Sequence, residues 1–123
     1  MYGETAVSPH FHNHIYFSVD EVLMLTKDRI IELLREQTPY LAYEFGVRKI
    51  GLFGSFAEGR SNDSSDIDIV VEFDRPIGLR FMELGDYLER LLGRKVDILT
   101  PTGIQEIRRK TVAKRIAESI VYV

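Results

Sequence analysis

The sequence predicts an α/β (α+β) fold in which a small mixed β-sheet is flanked by helices. Segments with apolar residues at helical spacing alternate with short segments that are rich in β-branched residues. Glycine or proline lies near most of the boundaries between these segments. The 123 residues are enough for one compact core and too few for two ordinary domains. We therefore expect one domain with one sheet.

Composition excludes several classes of protein. Hydrophobic residues make up 45% of the chain and charged residues 28%, which is typical of a folded globular protein. The net charge of -3 does not favour stable binding to the phosphates of nucleic acid. The absence of cysteine excludes disulfides and thiolate zinc sites. No apolar run is long enough to cross a bilayer and no secretory signal is evident, so we expect a cytoplasmic protein without a membrane partner.

The first 25 residues show neither helical nor alternating periodicity, and we interpret them as an irregular N-terminal arm before a domain at 26–123. Translation starting at Met24 would also explain the missing pattern. The arm carries His10, His12 and His14. They could bind a transition metal if the arm were a strand, but we interpret them as a surface feature.

The first half of the domain is predicted to contain two helices and a strand. Thr26 is a typical N-cap, and apolar residues follow at helical spacing over 27–37. Thr38 and Pro39 resemble a second N-cap and first helical residue, which predicts a separate short helix that ends at Gly46. Dense β-branched and aromatic residues then predict a strand over 47–53.

The second half begins with a loop rich in Gly, Ser, Asn and Asp, from which a short helix is expected to start. Strict alternation then predicts a strand over 66–73, with its isoleucines on one face and its aspartates on the other. Helical spacing, a short apolar strand and a second helical pattern follow. These elements are predicted over 79–92, 95–99 and 102–119.

Gly54 and Ser55 lie where the first strand ends and the short helix is expected to begin. Backbone N–H groups at a helix start have no partner within the helix, and the helix dipole favours anions there. Gly54 and Ser55 are therefore candidates for a phosphate-binding turn, although a Gly-Ser pair alone is more typical of an ordinary turn.

Asp66 and Asp68 are predicted to project from one face of a strand, about 6 to 7 Å apart. Aspartate is disfavoured in strands and the two charges repel each other, so we expect a cation beside them. Mg²⁺ fits because it binds a few carboxylates together with substrate phosphates. The alternative is that both side chains merely face solvent on an uncovered sheet.

Asp97, between Val96 and Ile98, is a third candidate carboxylate. If it faces the same side as Asp66 and Asp68, the three residues would form a two-metal site for phosphoryl transfer. One metal would activate the attacking oxygen and the other would stabilise the leaving pyrophosphate. Alternation permits this orientation but does not establish it, and the alternative is a charge on an edge strand.

Three segments together resemble a known family. They are GSFAEGR at 54–60, SDIDIVV at 65–71 and VDIL at 96–99. Their sequence and order are similar to those of the DNA polymerase β-like nucleotidyltransferase superfamily, and most closely to its minimal nucleotidyltransferase (MNT) branch. The resemblance covers about 26–123 and implies the corresponding fold.

The resemblance also implies roles for individual residues. Gly54 and Ser55 would bind the nucleotide phosphates, and Asp66 and Asp68 would bind metal. Asp97 would be the third catalytic carboxylate, which in the family also assists deprotonation of the acceptor.

The MNT branch includes the antitoxins of HEPN/MNT toxin-antitoxin pairs. In that family AMP is transferred from ATP to a tyrosine of the HEPN toxin, whose ribonuclease activity is thereby silenced. The resemblance thus implies ATP as substrate, Mg²⁺ as cofactor and a HEPN-domain toxin as partner. Length agrees with a separate acceptor, because few residues remain for a second substrate-binding domain.

Two other functions remain open at this point. The first is a catalytically weak or inactive antitoxin that neutralises its partner by binding alone. The second is modification of a small molecule such as an aminoglycoside, which the lack of an acceptor-binding domain disfavours.

One position departs from the family pattern, because Glu58 stands where many relatives have arginine. We interpret Glu58 as an acid in the first turn of the short helix, where it suits the dipole. The last predicted helix carries a cluster of basic residues, which we interpret as a solvated face near the helix C-terminus and, alternatively, as a docking surface. This basic cluster consists of Arg108, Arg109, Lys110, Lys114 and Arg115.

Overall fold

The computed structural model describes residues 25–123, so the histidines of the predicted arm lie outside the described residues. The first half of the described chain forms α1 (Lys27–Phe45), β1 (Val47–Phe53), α2 (Gly54–Glu58) and β2 (Ile67–Phe73). The second half forms α3 (Arg80–Leu92), β3 (Val96–Leu99), α4 (Pro101–Gln105), α5 (Lys110–Ser119) and β4 (Val121–Tyr122).

The strands form one four-stranded sheet in the order β3-β2-β1-β4. β1 pairs antiparallel with β2 and with β4, whereas β2 and β3 are parallel. Parallel strands need a long crossover, and α3 lies within the connection between β2 and β3. The predicted mixed sheet flanked by helices is confirmed.

The prediction of two separate helices in the first half is wrong, because α1 runs unbroken through Pro39. Proline has no N–H to donate to the carbonyl four residues earlier, which here belongs to Arg35. The hydroxyl of Thr38 donates to that carbonyl at 2.9 Å and so replaces the missing hydrogen bond. Although α1 has 19 residues, neither it nor any other helix within residues 25–123 is apolar enough to span a bilayer.

Hydrophobic residues are buried on both faces of the sheet. The larger cluster joins α1 and α3 to one face, where Ile67, Ile69 and Val71 are fully buried. On the other face, Phe53 and Val70 pack with Ile104 beneath α4 and α5. Alternation placed Val70 on the same face as the aspartates, and the structure shows that helices cover this part of that face.

The prediction of one helix over 102–119 is also wrong, because the chain bends between α4 and α5. Ile104 and Ile120 belong to the same small cluster, yet a straight helix would separate them by about 24 Å. Bending allows both to reach one patch of the sheet. β4, which the sequence did not predict, then pairs with β1 at Gly51 and Leu52.

Candidate active site

Asp68 and Asp97 lie directly opposite each other in the parallel ladder of β2 and β3. Residues in register across two strands project to the same face of the sheet, so the two carboxylates share a face. The preceding pair, Ile67 and Val96, is buried and faces the other way. Asp66 lies just before β2, which begins one residue later than predicted. The structure therefore brings Asp97 to the side of the sheet that carries Asp68.

The electrostatics of Asp68 reflect the other two candidate carboxylates. Burial raises the pKa of Asp68, and the negative charges of Asp97 and Asp66 raise it further. Among residues 25–123, no lysine or arginine forms an ion pair with any of the three. The charge of Asp68 is thus repelled by two other carboxylates, and no basic side chain among residues 25–123 compensates for it.

Gly54 joins the predicted phosphate-binding turn directly to the carboxylates. Phe53, the last residue of β1, is paired with Asp68, and Gly54 follows with a φ of 73°. A Cβ atom at Gly54 would lie only 2.1 Å from Oδ2 of Asp68. Ser55 is partly exposed at the start of α2, where backbone N–H groups lack partners within the helix. The turn and the acidic residues therefore form one continuous site.

The donor atoms of this site suit a hard cation that arrives with a nucleotide. Carboxylate oxygens are the ligands that Mg²⁺ prefers, and Mg²⁺ completes its shell with water and substrate phosphates. In the part of the chain that the structure describes, no three acidic or histidine side chains form a ready-made metal-binding group. An open site with Asp68 and Asp97 beside the predicted phosphate-binding turn fits a metal bound jointly with phosphate.

The repulsion at this site predicts that Asp68→Asn stabilises the metal-free protein. Because the pKa of Asp68 is raised in the folded state, the ionised form of Asp68 destabilises the fold. This destabilisation disappears as the pH falls below the ordinary pKa of an aspartate. We expect the melting temperature in EDTA at pH 7 to rise by a few degrees, and the difference from wild type to shrink towards pH 4. Thermal unfolding at several pH values measures both effects.

Asp86→Asn is the matched control for this measurement, because Asp86 is an exposed residue of α3. Its melting temperature should stay close to that of wild type at every pH. A lower melting temperature for Asp68→Asn than for Asp86→Asn at pH 7 would contradict the proposed repulsion.

Glu58 does not have the role inferred from the sequence. It is the last residue of α2, so it does not lie in a first helical turn. Its Oε1 accepts hydrogen bonds from Arg60 Nε at 3.0 Å and from Arg115 Nη2 at 3.5 Å. The hydrogen bond from Arg60, together with the charges of both arginines, lowers the pKa of Glu58. Glu58 therefore holds Arg60 and ties α2 to α5.

The basic cluster is likewise placed differently from the prediction. Its residues lie before α5 or within that helix but outside its last turn, so they do not complement a helix C-terminus. All five are exposed, and Arg115 contacts Glu58. The part of the cluster on α5 therefore belongs to a helix that contacts α2, on the face of the sheet that carries the acidic site.

Arg94 was not predicted to be functional, and the structure shows that it contacts two segments of the candidate site. Its Nη1 donates to the carbonyl oxygens of Asn62 at 3.0 Å and Ser65 at 3.1 Å. Its guanidinium lies over the ring of Phe56, 5.4 Å from the centroid. The only sequence signal was its position shortly before Asp97, which does not reveal these contacts.

The geometry agrees with the comparison to known families. Residues 27–123 match the family model for the nucleotidyltransferase domain. The chain belongs to the nucleotidyltransferase family. This confirms the enzyme class that its three motifs implied.

Relatives of this nucleotidyltransferase agree in sequence and in fold. Protein adenylyltransferase MntA of Thermococcus cleftensis is 40% identical over 101 residues, which are 81% of this chain and 98% of the relative. A solved structure of a candidate minimal nucleotidyltransferase has a TM-score of 0.61 and 26% identity, over 79% of this chain and 95% of that one. A chain of a toxin-antitoxin complex with AMP-PNP has a TM-score of 0.53 and 25% identity, over 80% and 72%. The predicted minimal nucleotidyltransferase fold is confirmed.

Proposed function

We propose that this nucleotidyltransferase transfers AMP from ATP to a protein acceptor, a tyrosine of a HEPN-domain toxin, and thereby acts as a cytoplasmic antitoxin. The observation that carries the proposal is the pairing of Asp68 with Asp97 beside the Gly54 turn. It supports the proposal because the carboxylates that would hold metal lie next to the backbone groups that would hold phosphate. Both are needed for transfer of a nucleotidyl group.

The proposal gives each candidate residue a role. Gly54 and Ser55 bind the triphosphate through backbone N–H groups and the serine hydroxyl. Asp66, Asp68 and Asp97 would hold two Mg²⁺ ions, whose charge would offset that of the phosphates and would lower the pKa of the attacking hydroxyl. Those carboxylates are acceptor-only groups when ionised, so they suit metal or a proton and repel bare phosphate.

The transfer step exchanges one phosphorus–oxygen bond for another. The tyrosine oxygen forms a bond to the α-phosphorus of ATP, and the bond from that phosphorus to the pyrophosphate oxygen breaks. Asp97 is exposed whereas Asp68 is half-buried, so Asp97 faces the side from which a protein acceptor approaches. We assign to Asp97 the removal of the tyrosine proton, and pyrophosphate leaves with the negative charge.

Two comparisons support the nature of the donor and the acceptor. The Thermococcus cleftensis relative is named as a protein adenylyltransferase. The toxin-antitoxin complex contains AMP-PNP, a non-hydrolysable analogue of ATP. The name of this relative and the composition of this complex are both consistent with an adenine nucleotide as donor and a toxin as acceptor.

The proposal is tested by incubating the purified protein with α-labelled ATP, Mg²⁺ and the HEPN-domain protein encoded beside it. We expect label on the toxin, mapped by mass spectrometry to a tyrosine, and loss of the toxin's ribonuclease activity. Replacing that tyrosine with phenylalanine serves as the control and should abolish labelling. If wild type leaves the toxin unlabelled while still silencing it, the enzyme proposal is wrong.

The alternative, neutralisation of a partner by binding alone, is favoured by one observation. Glu58 occupies Arg60 with a hydrogen bond at 3.0 Å, so this arginine, five residues after Ser55 in the chain, is not wholly available to a triphosphate. Slow transfer, or binding without transfer, would follow if Arg60 is required. The labelling experiment distinguishes the two functions because only the enzyme modifies the toxin.

A further inference from the structure

We infer that Arg94 is a positioning residue for the transfer reaction, because it holds the acidic segment at a set distance from the phosphate-binding turn. This inference rests on the proposed function. Arg94 lies in the connection between α3 and β3, three residues before Asp97. Its side chain is partly buried and bridges two other segments of the site.

The first contact of Arg94 fixes the turn that leads into β2. One nitrogen, Nη1, donates to the carbonyl oxygens of both Asn62 and Ser65, which are the two ends of this turn. Within the turn, the backbone N–H of Ser65 donates to the carbonyl of Asn62, and the N–H of Asn62 donates to Oγ of Ser65. Asp66 follows Ser65 directly, so the position of this turn sets the backbone position of Asp66.

The second contact of Arg94 reaches the phosphate side of the site. Its guanidinium lies 5.4 Å from the ring centroid of Phe56, a residue of α2 that is only 2% exposed. Phe56 follows Ser55 directly, so the same guanidinium rests on the element that presents the phosphate turn. A cation over the face of an aromatic ring is attracted by the ring, and the flat guanidinium of arginine suits such a face better than the compact ammonium of lysine.

The third connection is through the backbone. Ile67 donates its N–H to the carbonyl of Lys95 at 2.9 Å, which sets the register of β2 against β3 next to Arg94. Arg94 and its neighbour thus join the segments that carry Ser55, Asp68 and Asp97. Because catalysis by oriented groups falls about a hundredfold for a displacement near 1 Å, losing this link should slow transfer.

A matched pair of variants tests the inference. Arg94→Met keeps the apolar stem but removes the hydrogen bonds, whereas Arg90→Met removes the same charge from an exposed position on α3. We expect Arg94→Met to lower kcat about 30-fold and to change KM for ATP less than about threefold. Arg90→Met should retain wild-type values of both.

Arg94→Lys separates geometry from charge, since lysine keeps the charge but cannot stack as a plane. We expect kcat of Arg94→Lys to fall about tenfold at a temperature well below its melting temperature. Wild-type kcat for Arg94→Lys, or a loss in Arg94→Met that appears only in KM, would overturn the inference.

Amide hydrogen exchange of the nucleotide-free protein provides a readout that does not depend on activity. Amides of residues 61–67 should exchange at least about tenfold faster in Arg94→Met than in Arg90→Met. If wild type transfers nothing, the proposed function fails, and the exchange experiment alone decides whether Arg94 positions this segment. Equal exchange in the two variants would overturn it.

Discussion

The double substitution Asp66→Ala with Asp68→Ala is expected to reduce adenylyl transfer about a thousandfold or more. Asp68 is paired in register with Asp97, and burial and the other two carboxylates raise its pKa. Removing two of the three acidic groups removes the charge that would stabilise metal and phosphate in the transition state. Transfer of labelled AMP to the toxin, measured under single-turnover conditions, gives the loss directly.

Folding of the double variant should be preserved, because the substitution relieves repulsion and breaks no described ion pair. Glu36→Ala with Asp86→Ala removes two acidic groups from exposed positions on α1 and α3 and serves as the control. We expect the control to transfer AMP at the wild-type rate. Activity in the double variant within tenfold of the control is incompatible with an essential role for these aspartates.

The same two proteins decide between the enzyme and the binding module in cells. If transfer is the basis of protection, the double variant leaves the toxin active and cells that produce both proteins fail to grow. If binding alone neutralises the toxin, the double variant protects as well as the control does. Co-purification of the toxin with both variants shows whether binding itself is intact.

Local patterns in the sequence predicted much of the acidic site. Alternation over 66–73 placed Asp68 opposite to Ile67 and Ile69, and both isoleucines are fully buried. The orientation of Asp97 could not be predicted, because a shift of one residue in the pairing would have turned it to the other face. The observed pairing of Asp68 with Asp97 depends on α3 and on the way in which β3 aligns with β2.

The errors in the fold prediction arise where side chains or distant packing override local signals. Pro39 normally favours the start of a helix, but the hydroxyl of Thr38 compensates for its missing N–H within α1. The bend after α4 reflects the need of Ile104 and Ile116 to reach one cluster. Helical periodicity alone predicts neither the continuous α1 nor the bend after α4.

Arg94 illustrates a residue that sequence reasoning could not identify. Its neighbours in the chain, Gly93 and Lys95, form no motif with it, and its hydrogen-bond acceptors lie 29 and 32 residues away. These acceptors are backbone carbonyls, which every residue has, so the residue types at positions 62 and 65 do not reveal the contacts. Only the folded chain shows that Asn62, Ser65 and Phe56 meet at one guanidinium.

Gly54→Ala is expected to abolish most of the activity, with a loss of about a hundredfold or more. Alanine at a φ of 73° is strained by about 1 to 2 kcal/mol. In addition, its Cβ would lie 2.1 Å from Oδ2 and 3.0 Å from Cγ of Asp68, so the carboxylate must move. The substitution therefore displaces a candidate metal ligand without changing any acidic residue.

Gly59→Ala is the control that separates displacement of the Asp68 carboxylate from strain in the backbone. Gly59 has nearly the same φ, 74°, but a Cβ there would meet nothing within 4 Å among the described residues. Both variants should lose stability from the strained backbone, whereas only Gly54→Ala should lose transfer activity at a temperature where both are folded. Thermal unfolding and single-turnover transfer on the same preparations measure the two effects. Equal activities in the two variants would show that the close approach of Gly54 to Asp68 has no part in the reaction.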